Sequence, residues 1–247
     1  MRTANPALRA DTFDGFPAPA AGLTTMTVQG AVNKTALLTI ILVASAVWPW
    51  RLYATSGVGA IMSFLWGGVI GGLVLALVTI FNKPWAAVTA PLCAVAEGLA
   101  LGAISAVFEA RFPGIVLQAV GLTFGVLLAL LGAYASRLIR ATENFKLGVF
   151  AATGGIALLY LVALGLMLFG VRVPFIHESG LVGIGFSVFV VVIAALNLVR
   201  DFDFIESGAA RGAPKPMEWY AAFGLLVTLV WLYLEILRPL AKARSRR

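Results

Sequence analysis

The segment 197–208, NLVRDFDFIESG, sets Asp201, Asp203 and Glu206 within six positions of a chain that has only eleven acidic residues in 247. It follows about twenty apolar residues, the length that crosses a bilayer. Carboxylates gathered where an apolar run meets its boundary can coordinate a hard cation, exchange protons, or solvate a helix end. On a helix, residues four apart share a face and residues two apart do not. Asn197 and Asp201 are therefore expected to look into a bundle, and Asp203 and Glu206 to sit at its rim with Arg200, which is three before Asp203 and can pair with it.

Three further carboxylates lie in apolar surroundings. Glu97, in LCAVAEGLALGAIS, falls near the middle of an apolar run, where a charged side chain costs about 2.5–3.5 kcal/mol on insertion scales. It is expected to face the interior, neutral or paired, as a proton- or cation-handling residue or as a hydrogen-bonded packing residue. Glu235 precedes Arg238 by three positions, which reads as a salt bridge near the interface or as part of an internal carboxylate site. Glu218 follows GAPKPM and is expected to cap the positive end of its own helix.

Other chemistries lack their residues. His177 is the only histidine, so no histidine zinc site or nucleophile triad can be assembled within the chain. Cys93 is the only cysteine and lies in an apolar run, which excludes an intrachain disulfide and a CxxC metal site. No GxxxxGKS phosphate loop occurs. GIGFS lacks the aspartate of a GxGD intramembrane protease motif. The sequence therefore does not read as an enzyme.

The elements that must position these groups are membrane helices. Hydrophobic residues make up 61% of the chain and charged residues 12%, against roughly 45–50% and about 25% in soluble domains. The net charge of +7 is spread over connections and the KARSRR tail, which fits topology and lipid headgroups rather than nucleic acid. Apolar runs at 35–53, 58–81, 85–108, 115–138, 147–170, 181–199 and 219–237 predict a bundle of seven helices. Asn33 is the expected cap of the first. The organisation expected is a flexible polar arm over 1–33 without a cleavable signal peptide, a transmembrane domain over 34–240 and a basic tail over 241–247. Lys83, Arg137, Arg140, Lys146, Arg200, Arg211 and Lys215 fall on one side of such a bundle, against Arg51, Arg111 and Arg172. That bias predicts a cytoplasmic N-terminus and sends the basic tail across, against the same rule. Glycines four apart, at 67 and 71, 68 and 72, 98 and 102, and 121 and 125, predict close helix packing.

The strings NPAL, MTVQGAVNKTALL, APLCAVAEGLALGAIS, FPGIVLQAVGLTFGV, ALNLVRDFDFIESGA and MEWYAAFGLLVTLVWLYLEILR together resemble the bacterial branch of the Bax inhibitor (transmembrane Bax inhibitor motif) family, from Asn5 to Arg238. The resemblance implies an all-α polytopic bundle of seven transmembrane helices with a central last helix, in a bacterial inner membrane. It also implies a pH-sensitive calcium leak channel gated by protonation of embedded carboxylates. In that family an aspartate late in the sixth helix pairs with one in the seventh. Asp201 matches the first; the second corresponds to Thr228, a departure that leaves Glu97, Glu218 or Glu235 as substitutes. Asp201 and Glu97 would then meet Ca²⁺ transiently, with no resident cofactor. The implied partners are membrane lipids, calcium or other cations, and a membrane protein. A different class also follows from the resemblance: a regulator that docks on a membrane protease or stress-response protein without moving ions.

Overall fold

The computed structural model describes residues 25–169 and 180–245. Within them the chain is helical apart from one isolated bridge, Thr25 with Pro214. The helices are α1 (Val28–Phe81), α2 (Ala86–Arg111), α3 (Ile115–Ala135), α4 (Glu143–Leu168), α5 (Leu181–Ala210) and α6 (Met217–Arg244), with a short 3-10 turn at Lys83–Trp85. Among the described residues six helices are long and apolar enough to cross a membrane, and the chain is an all-α, multi-pass membrane protein. Its surface among the described residues is studded with exposed Leu, Val, Ile and Phe, which suits contact with lipid.

The expected count of seven is corrected to six, because the runs at 35–53 and 58–81 belong to one 54-residue element. Nothing in ATSG ends the helix outright. Gly57 instead carries a break inside it, at φ 73° and ψ −168°, a conformation that a residue with a Cβ rarely adopts. The two arms of α1 fold back about this point. Gly98 of α2 packs on Leu42 and Ser45 and Gly102 on Ala46, while Gly68 and Gly72 of the other arm pack on Ala96, Ala100 and Glu97. Residues 45 and 72 of a straight helix would lie about 40 Å apart, too far to meet the same turns of α2.

Helix ends follow local rules. Thr27, extended at φ −122° and ψ 149°, caps α1 by accepting the Gly30 N–H at 3.0 Å. The cap is therefore Thr27, and Asn33 lies inside the helix. Gly114 turns the chain into α3 at φ 81°, and Thr142 caps α4 through the Phe145 N–H at 3.3 Å. α5 runs to Ala210, so Asp201, Asp203 and Glu206 are all on helix. α6 continues to Arg244, past the expected start of the tail at 241.

The chain divides into two compact units. One is drawn from Gly114–Phe202 and Thr228–Arg247, the other from Pro6–Pro113 and Asp203–Val227. The expectation of a central last helix is corrected by this division. α6 is the most buried of the six, with 78% of its apolar window covered, yet it gives its first part to one unit and its second part to the other. It is not a hub ringed by the remaining helices. Of the expected arm over residues 1–33, residues 1–24 lie outside the described residues, as do Arg172, His177 and the last two arginines, and the part from Val28 on is helical.

Candidate functional site

In the unit that contains Thr228–Arg247, α4, α5 and α6 hold a set of polar side chains inside apolar packing. Asp201 on α5 is 3% exposed. Its carboxylate is hydrogen-bonded to the Thr228 side chain on α6 and lies in the field of Arg200. Its Oδ2 atom is buried and has no hydrogen-bond partner among the described residues. One turn earlier, Asn197 Nδ2 donates to Thr153 Oγ1 of α4 at 2.8 Å and to the Ile193 carbonyl at 2.9 Å. Its Oδ1 accepts from Arg200 Nη1 at 3.2 Å. Arg200, expected at the rim, is buried; its guanidinium neutralises a site that would otherwise hold a lone buried carboxylate. Asp203 is half-buried and Glu206 exposed.

Two helical turns beyond Thr228, and on the same face of α6, Glu235 is also buried. It accepts from Tyr160 Oη of α4 at 3.2 and 3.3 Å, from Trp231 Nε1 at 3.2 Å and from Arg238 Nη1 at 3.0 and 3.3 Å. Two turns beyond Glu235, Lys242 Nζ donates to the Gly183 carbonyl and to Ser187 Oγ of α5, both at 3.0 Å. Thr228, Trp231, Glu235, Arg238 and Lys242 recur at steps of three and four, the spacing of one helix face. This polar seam runs about 21 Å along α6, or most of a hydrocarbon core about 30 Å thick. The sequence reading missed the seam as a unit, and with it Thr153, Tyr160, Trp231 and Lys242, although the alternating three-and-four step was present to be counted.

The other unit carries Glu97 and Glu218. Glu97 is partly buried on α2. Its Oε1 takes a long contact from the Cys93 thiol at 3.7 Å, and that thiol also lies 3.5 Å from the Gly72 carbonyl. Glu97 Oε2 is buried with no hydrogen-bond partner among the described residues. Glu218 is fully buried in the first turn of α6, and its hydrogen bonds reach a second helix. Its Oε1 accepts the Thr27 N–H and hydroxyl, each at 3.0 Å, and its carboxylate pairs with Lys34 and, at 3.2 Å, with Lys215. Glu218 thus stands in the first turn of α6, as expected, and also fastens the start of α1.

Among the described residues no group of three or more His, Cys, Asp or Glu is placed to hold a metal ion. The arrangement is one of separate buried carboxylates, each on its own apolar-walled helix face, rather than a catalytic constellation. A family model described as Bax inhibitor 1 like matches residues 5–245. The chain belongs to the Bax inhibitor 1 like family. No curated protein and no solved structure matches the chain. Membership associates it with Bax inhibitor-like membrane proteins, a family not known for catalysis, and is consistent with a channel or transporter role. Thr228, the position that the resemblance matches to a second aspartate, is the residue whose side chain is hydrogen-bonded to Asp201.

Proposed function

We propose that this protein is a pH-sensitive leak channel for calcium or a related cation, of the bacterial branch of its family and resident in a bacterial inner membrane. What carries the reading is Asp201: a buried carboxylate on a membrane helix, tied to α6 through Thr228, with one oxygen left without a hydrogen-bond partner. A hard cation takes carboxylate, hydroxyl and carbonyl oxygens, and the free oxygen is where such a ligand would add. Protonation of the same carboxylate removes its charge and alters its attraction for Arg200 and Thr228, so pH would change how α5 and α6 hold together. Asn197 contributes the neighbouring polar step. Glu97, with its own free buried oxygen, is a second candidate ligand in the other unit, and Glu235 a third on the seam.

The test is flux. Purified protein in liposomes enclosing a calcium indicator should admit Ca²⁺ at a rate that changes with pH, and Asp201→Asn should abolish that change while leaving the protein folded. Protein-free rates at every pH would remove the channel reading and leave a membrane docking protein in its place.

A further inference from the structure

Glu235 and Arg238 form an ion pair with uneven burial. The carboxylate side chain is 1% exposed and the guanidinium side chain 44%. Every donor converges on the carboxylate. Tyr160 and Trp231 hold it from the walls, and Arg238 reaches in with Nη1 3.0 Å from Oε1 and 2.5 Å from Tyr160 Oη, its guanidinium carbon 4.9 Å from the centre of the Tyr160 ring. Arg238 can leave for its exposed side and be hydrated there. Glu235 cannot follow, and a buried carboxylate stripped of its hydrogen-bonded cation is strongly destabilised. Lys242, the next cation on the seam, adds to the field at Glu235 while donating to Gly183 and Ser187, so it offsets the lost charge only in part. Displacing Arg238 therefore leaves a negative site walled by an anionic carboxylate and a phenol oxygen, one that needs a positive charge.

We propose that Glu235 and the Tyr160 hydroxyl form a binding site for a small inorganic cation, and that Arg238 is its tethered occupant. A free cation and the guanidinium compete for the same oxygens. Oxygen ligands without a soft donor select a hard ion, and Trp231 and Arg238 make the site reachable from the exposed end of the seam. The Thr228 level, where Asp201 sits, is two turns away on the same face, so a cation released from one carboxylate has the next about 10 Å off. As a step on an ion route this rests on the channel reading above; as a binding site it does not.

The experiment has two readouts. Terbium, a hard trivalent probe, emits when a nearby tryptophan is excited, and Trp231 Nε1 lies 3.2 Å from Glu235 Oε1. In detergent, Arg238→Gln should tighten apparent Tb³⁺ affinity by about tenfold or more, because a tethered competitor acts at a high local concentration. The gain should vanish in the Glu235→Gln/Arg238→Gln double variant, and its emission should fall in Trp231→Phe. In liposomes, Arg238→Gln should raise resting Ca²⁺ entry and the double variant should not. A folded Arg238→Gln that binds Tb³⁺ no better than the unmodified protein overturns the proposal, even if the unmodified protein conducts. A Tb³⁺ gain with no flux from any variant upholds the site and removes the channel. Should Arg238→Gln fail to fold, Arg238→Lys carries the test: a shorter, monodentate competitor must give a smaller gain, and no gain overturns the proposal.

Discussion

A carboxylate inside a membrane helix is tolerated when it is neutral, paired or wet, and the acidic side chains of this chain meet that condition in different ways. Asp201 has Thr228 and Arg200 and keeps one oxygen without a hydrogen-bond partner among the described residues; Glu206, five positions later, is exposed. Joint replacement of Asp203 and Glu206 by Asn and Gln should therefore leave calcium flux nearly unchanged, while Asp201→Asn alters its rate and pH response. Equal effects in a liposome assay would defeat the division by helix face. Glu97 poses a sharper question, because one of its oxygens takes the Cys93 thiol and the other is buried without a hydrogen-bond partner among the described residues. Glu97→Gln keeps size and hydrogen bonding but cannot exchange a proton. If Glu97 is a ligand or proton site, this variant keeps its melting temperature and loses part of the pH response; unchanged pH-dependent flux would assign Glu97 to packing. That Asn197 and Asp201 share a face was legible from their spacing. The burial of Arg200 was not, since a charge next to two aspartates reads as surface until the neutral Asn197 is seen to accept from it.

At the scale of elements, glycine spacing states that helices approach closely but not which glycines face a neighbour. A Cβ on Gly98 or Gly102 would run into the backbone of the first arm of α1, and one on Gly68 would sit 2.6 Å from the Ala96 carbonyl, whereas Gly67, Gly121 and Gly125 have open space around them among the described residues. Alanine at 98 or 102 should lower the melting temperature clearly, by a cost in the 1–3 kcal/mol range of overpacking. Alanine at 67 or 121 should be neutral or stabilising by up to about 1 kcal/mol, the difference in helix propensity. Thermal melts of the four variants in one detergent decide it; similar losses at all four would mean that spacing alone governs packing. The helix count was misread for a related reason. Composition locates apolar runs, but a glycine that breaks helical φ/ψ without ending the helix, as Gly57 does, has no separate sequence signature. The polar seam on α6 was present in the sequence, yet it was divided among single residues because Arg238 and Lys242 resemble the snorkelling cations of any helix end.

At the largest scale, the unit that holds α1 and the start of α6 closes on itself through Glu218. Met26 N–H donates to the Ala213 carbonyl at 2.7 Å, Thr25 bridges Pro214, and Glu218 gathers Thr27, Lys34 and Lys215, so the start of α1 is fastened to the connection that leads into α6. Sequence reading could assign each carboxylate a local role, but it could not see that a residue in the last helix caps the first, since the two are 191 positions apart. Loss of this tie should be felt by the fold as a whole. Glu218→Ala leaves partly exposed Lys34 and the more exposed Lys215 and Thr27 without their buried carboxylate, a loss of charged hydrogen bonds of about 1.5–3 kcal/mol, whereas Thr27→Ala removes a cap and one side-chain bond and should cost about 1–2 kcal/mol. Gly30→Ala places a methyl against the Glu218 carboxylate and should weaken the same tie without touching any charge. A direct measurement uses cysteines at 25 and 214 in a Cys93→Ala background. Paired bridge residues lie about 4.5–5.5 Å apart, within disulfide range, so mild oxidation should join them and raise the melting temperature. The bond should form less readily once Glu218→Ala is added. Failure to cross-link in an otherwise native, folded protein, with both cysteines open to a membrane-impermeant label from opposite faces, would show that the two segments are not neighbours and that Glu218 fastens nothing.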